Sequence, residues 1–156
     1  MARTNATRAS WQNEPMPSIK QQLTLRRAYL PKEYALLARG LVPEQMEDKW
    51  FIFFENDRLY LCRSWTGYCI YEAAFSEQDG QHVIAKAWVN RDPGQYNSTD
   101  DEYDIALLRY LMDHLLLGYR VSFPQRSDLD QDQNVLYQWS LVGRGREGIE
   151  PDSPGE

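Results

Sequence analysis

Residues 49–75, KWFIFFENDRLYLCRSWTGYCIYEAAF, hold three apolar, aromatic-rich runs separated by gaps no longer than a turn. Strands joined by so little chain can pair only antiparallel, because a parallel connection needs a crossover of about a dozen residues or more. Asn56-Asp57 is a tight-turn signal. With those two residues as the turn, Glu55 faces Arg58 and Trp50 faces Arg63, an ion pair and a guanidinium stacked on an indole. The next gap, Ser64 to Gly67, has a glycine where a left-handed residue is commonly needed after a type I turn. A four-residue loop there sets Cys62 opposite Cys69, whereas a three-residue loop with a glycine bulge sets Cys69 opposite Arg63.

A third turn at Gln78-Asp79-Gly80 leads into HVIAKAWVN, where Val83, Ala85, Ala87 and Val89 alternate with Ile84, Lys86 and Trp88. Further on, STDDEYDIALLRYLMDHLLLGYR has the marks of a helix. Thr99 and Glu102 have capping-box spacing, acidic residues crowd the first turn, and Gly118 offers a stop. Tyr103, Leu107, Leu108, Leu111 and Leu115 share its apolar face. The expected fold class is therefore α+β: a four-stranded antiparallel β-meander with a long helix, at about residues 100 to 117, packed on one face. A shorter helix is expected to start at Pro31 and stop at Gly40, with Tyr34, Leu37 and Ala38 on one side. Whether Ile19 to Tyr29 forms a helix of its own is left open, and residues 134–142 suit a helix or a strand equally.

At 156 residues the chain has room for one core. Residues 1–17 and 143–156 are poor in core formers and are expected to be a flexible lead and a flexible tail around a single domain at 18–142. Net charge is −6, which argues against a nucleic-acid binder. The N-terminus lacks the apolar stretch of a signal peptide, and Arg109, Asp113 and His114 break the longest apolar run. A cytoplasmic protein without membrane contact is the expectation. Two cysteines and two histidines, far apart in sequence, give no zinc pattern. No phosphate-binding glycine loop and no hydrolase signature is present, so no catalytic residue, metal or cofactor is assigned.

The candidate ligand-binding residues are Arg63, Ser64, Trp65, Thr66 and Asp104. Arg63 can hold a phosphate or carboxylate, Ser64 and Thr66 offer hydroxyls beside backbone amides, and Trp65 can stack on a planar ring. The same residues also make an ordinary turn in which Arg63 packs on Trp50. Asp104 falls near the middle of the helix's apolar face, so it either reaches water at the helix start or needs a cation from Lys86, Arg63 or Arg91. His114 lies at the edge of that face and reads as structural.

The block at 46–75, with K-W-F, L-Y, R-S-W-T-G and I-Y in that order, resembles a family of uncharacterised bacterial proteins. The resemblance implies a small bacterial domain and brings no assigned activity. Segments of this kind are also associated with ADP-ribose metabolism. The leading functional expectation is a binding or interaction module for a protein partner or a small polar ligand. The second is a nucleotide- or ADP-ribose-related ligand domain or enzyme using the RSWTG turn.

Overall fold

The computed structural model describes residues 5–124. The segment at 134–142 and the tail from 143 lie outside the described residues. In chain order the elements are β1 (Lys20–Leu23), β2 (Ala28–Tyr29), α1 (Pro31–Arg39), β3 (Trp50–Glu55), β4 (Arg58–Arg63), β5 (Cys69–Gln78), β6 (Gln81–Asn90) and α2 (Asp101–Tyr110). The fold is α+β with an antiparallel sheet.

Asn56 and Asp57 both take positive φ, 55° and 60°, as a two-residue hairpin turn between twisted strands requires. β3 and β4 then pair with Glu55 opposite Arg58 and Trp50 opposite Arg63, the register expected from the turn. Between β4 and β5, Arg63 N donates to Tyr68 O and Gly67 N to Arg63 O, closing a four-residue loop. Cys62 accordingly stands opposite Cys69. Asp79 and Gly80, at φ 52° and 79°, make the turn from β5 into β6.

Among the described residues the sheet has six strands, not the four of the meander. β1 and β2 both pair with the outer edge of β6, Leu23 opposite Ala87 and Tyr29 opposite His82. Lys20–Leu23 and Ala28–Tyr29 are thus edge strands and not a helix. The reason is physical: the mostly polar side chains of this segment have no apolar stripe to bury as a helix, while the open edge of β6 offers a row of backbone partners.

Alternation along the strands divides the apolar residues between two faces. Trp50, Ile52, Leu59, Leu61, Tyr71, Ala73 and Val89 are buried against Leu107, Leu108 and Leu111 of the helical layer. Phe51, Phe53, Cys62 and Cys69 form a second cluster on the opposite face, and there the cover is Ala6 with Met16 beside it. Residues of this N-terminal segment make specific contacts with the sheet and with α1. Ala6 N donates to Arg39 O at 2.9 Å, and Arg8 lies over the Phe53 and Tyr60 rings while pairing with Glu55 at 2.8 Å.

The long helix differs in detail from its expected form. Its N-cap is Asp100, whose Oδ1 accepts from Tyr103 N at 3.1 Å, one residue beyond the Thr99 cap anticipated. After Tyr110 the helix widens into a π-helical turn over Leu111–Leu116, with Leu117 N donating to Met112 O. Gly118 ends it at φ 83°. Among the described residues no helix is long and apolar enough to cross a membrane.

α1 ends at Gly40, φ 65°, where a Cβ would lie 2.2 Å from Ile52 O. Gly80 has a similar φ of 79° but open space around it. Gly40→Ala is expected to cost roughly 2–4 kcal/mol, strain plus overlap, and Gly80→Ala only about 1 kcal/mol. Urea melts of the two variants check this, and equal costs would contradict the close backbone approach.

Candidate functional site

Each group of the RSWTG turn has a place in the protein. The Arg63 guanidinium lies 5.2 Å from the centre of the Trp50 ring, the stacking that the cross-strand register calls for. Ser64 is buried. Its hydroxyl donates to Asp48 O at 2.7 Å and its N–H to Lys49 O at 2.9 Å. Its carbonyl accepts from Trp11 Nε1 at 2.7 Å and from Gln12 Nε2 at 3.0 Å. Thr66 Oγ1 accepts from Tyr68 N at 3.2 Å. Gly67 holds φ 81°, and a Cβ there would come within 3.2 Å of Asn13. The Trp65 ring projects outward. Its Nε1 donates to Met46 O at 3.0 Å, and Lys49 Nζ sits 3.8 Å from its ring centre.

The turn is therefore a junction. The lead bonds it on one side through Trp11, Gln12 and Glu14, whose N–H donates to Gly67 O at 2.7 Å. The connection between α1 and β3 bonds it on the other side through Met46, Asp48 and Lys49. Trp11 and Met46 were invisible as partners from sequence. Neither sits in a periodic pattern, and each contact spans a loop whose path the sequence does not set.

Asp104 is fully buried, and the anticipated cation is Arg91, whose Nη1 is 2.7 Å from Oδ2. Ser98 Oγ donates to the same oxygen at 3.2 Å. Tyr71 and Tyr96 hydroxyls each donate to Oδ1 at 2.6 Å. Four donors saturate the carboxylate. Burial, with the Tyr96 hydroxyl and the Asp104 charge beside it, pushes the Tyr71 hydroxyl well above the usual phenol range. Burial works to lower the Arg91 guanidinium, but bonds to Asp101 and Asp104 outweigh it and leave it raised. Arg63 and Asp104 are linked indirectly, through the Trp50 ring stacked 6.1 Å from Tyr71.

A second buried carboxylate, Asp113, went unrecognised in the sequence. It accepts from Tyr29 Oη at 2.8 Å, Arg27 Nε at 3.1 Å and Arg109 Nε at 3.3 Å. Arg27 and Tyr29 tie β2 and the residue before it to the π-helical turn. His114 stacks on Tyr110 and bonds Tyr119 O through Nδ1. Cys62 and Cys69 are free and buried, and their mutual hydrogen bond together with burial holds the Cys69 thiol well above its ordinary value. Among the described residues no group of three or more His, Cys, Asp or Glu is placed to hold a metal ion.

In comparisons with known proteins, the chain matches no family model, no curated protein and no solved structure.

Two outcomes are expected. Deleting residues 1–16 should remove roughly 2–4 kcal/mol of stability, because Phe51 and Phe53 lose their cover. It should also speed the reaction of Cys62 and Cys69 with a chromogenic disulfide reagent, and an unchanged melt and thiol rate would show that the lead does not dock. Asp104→Asn should cost roughly 3 kcal/mol in a chemical melt, since Arg91 loses the buried one of its two carboxylate partners and the amide nitrogen meets donors where the carboxylate accepted. A cost near zero would mean that the carboxylate is not sealed.

Proposed function

We propose that the chain is a non-catalytic binding module that engages a protein partner through the surface around the RSWTG turn. The observation that carries this reading is the exposure of Trp11, Met46 and Trp65, at 38%, 74% and 59%. All three are tied by hydrogen bonds to one turn and its neighbouring loop. Large apolar side chains gathered on a surface favour contact with another molecule, and tryptophan is enriched at the centres of such contacts. Most of the polar groups that a nucleotide-like ligand would need are engaged within the protein: the buried Ser64 hydroxyl, the Asp104 carboxylate and the Arg63 face, while the exposed Thr66 hydroxyl accepts from Tyr68 N. That favours the interaction module over the ADP-ribose-related reading. A cytoplasmic setting belongs to the same proposal, because opposed buried thiols kept free suit a reducing compartment.

Trp65→Ala separates binding from folding. The side chain is mostly in water, so its removal should cost about 1 kcal/mol or less. Cross-linking from Met46, replaced by a photoreactive methionine analogue, should capture the partner with the parent protein and not with Trp65→Ala. A thermal-shift screen of nucleotides, ADP-ribose and sugar phosphates should leave the melt unmoved. A shift of several degrees, erased by Arg63→Ala, would replace this reading with the ligand-domain one.

A further inference from the structure

We infer that the segment received by this surface is basic, a peptide stretch carrying lysine or arginine beside an apolar anchor. The inference rests on the binding-module reading and adds to it the sign of the partner's charge. Beside Trp11, Met46 and Trp65 stand three exposed acidic residues. Glu14 adjoins Gly67 through its backbone, and Glu44 and Glu47 flank Met46. Asp48 Oδ2 accepts from the N–H groups of Glu44 and Gln45, at 2.9 and 3.2 Å, which bends this loop. The neighbouring cations keep their charge but are fewer than these three glutamates and Asp48 together, two once the Arg8–Glu55 pair is set aside. Lys49 lies 3.8 Å from the centre of Trp65, Arg63 lies 5.2 Å from that of Trp50, and Arg8 pairs with Glu55.

An ammonium on Trp65 demonstrates what this indole face takes. A tryptophan ring attracts a cation through its negative π-face, and the exposed ring of Trp11 offers a face of the same chemistry. A phosphate or acidic peptide approaching here meets segments that carry three exposed glutamates, whereas a lysine or arginine finds acidic residues and aromatic faces on the same segments. The net charge of −6 extends the same preference to long range and steers basic partners in.

The test uses the full chain, labelled with nitrogen-15, and two synthetic peptides. One alternates lysine with leucine, and the other carries glutamate in place of each lysine. The lysine peptide should move the indole N–H resonances of Trp11 and Trp65 and leave that of Trp50 in place. The double variant Glu44→Lys, Glu47→Lys should weaken its binding roughly tenfold, Glu44→Gln, Glu47→Gln should weaken it less, and added salt should weaken it further. The melt of each variant verifies folding. If the glutamate peptide binds the same two tryptophans as tightly, the charge assignment is wrong while the surface stands. If the lysine peptide moves other resonances but not these two, the charge assignment fails at this surface. If neither peptide reaches the two tryptophans and a nucleotide does, the binding-module reading falls with it.

Discussion

A strand whose successive side chains are all apolar leaves neither face of its sheet fit for water. Trp50, Phe51, Ile52 and Phe53 are that strand, and all four are buried. Trp50 and Ile52 point to one face and Phe51 and Phe53 to the other, so the sheet needs two covers. The helical layer from Asp101 supplies the first. No second long helix is available among the described residues, and residues 5–16 take that place with Ala6, Arg8 and Met16. The position of the lead, the junction at the RSWTG turn and the exposed tryptophans all follow from this two-sided apolar strand.

The registers of the meander were legible in the sequence because they depend on short-range chemistry. Asn56-Asp57 tolerates the left-handed backbone, and once that turn is placed the pairs Glu55 with Arg58 and Trp50 with Arg63 are forced. Gly67 and Gly80 acted in the same local way. Features decided by distant residues were not legible. Lys20 to Leu23 is a strand because β6 offers it an edge, which no property of K-Q-Q-L announces. Ala6 and Met16 carry no periodicity that marks them as cover. Asp113 reads as a polar break in an apolar run, and only the approach of Arg27 and Tyr29 makes it a buried anchor.

The candidate site divides along the same line. Residue types named Arg63, Ser64, Trp65, Thr66 and Asp104, and each of them is engaged in specific contacts. The inventory could not say whether the partner is the rest of the chain or another molecule. For Ser64 and Asp104 the bonds are internal and complete, and their chemistry goes into holding a turn and a helix start. Trp65 differs because its ring keeps most of its area in water after its N–H and one face are used. Buried polar networks of this kind fix geometry, and the geometry fixed here is the outward aim of two indoles.

The lead also sets an order of events on the growing chain. Residues 5–16 are synthesised before the groups they meet, since Ser64, Gly67 and the Phe51–Phe53 surface come roughly fifty positions later. Closing so long a loop carries an entropic cost that is recovered only when its non-local pairings form. The meander can assemble through its own short turns without waiting for the lead. Its aromatic outer face then stays open until residues 5–16 return to it. Residues made before the sheet are thus the last to settle onto it, and the interval between those two events is when the nascent protein is most prone to self-association.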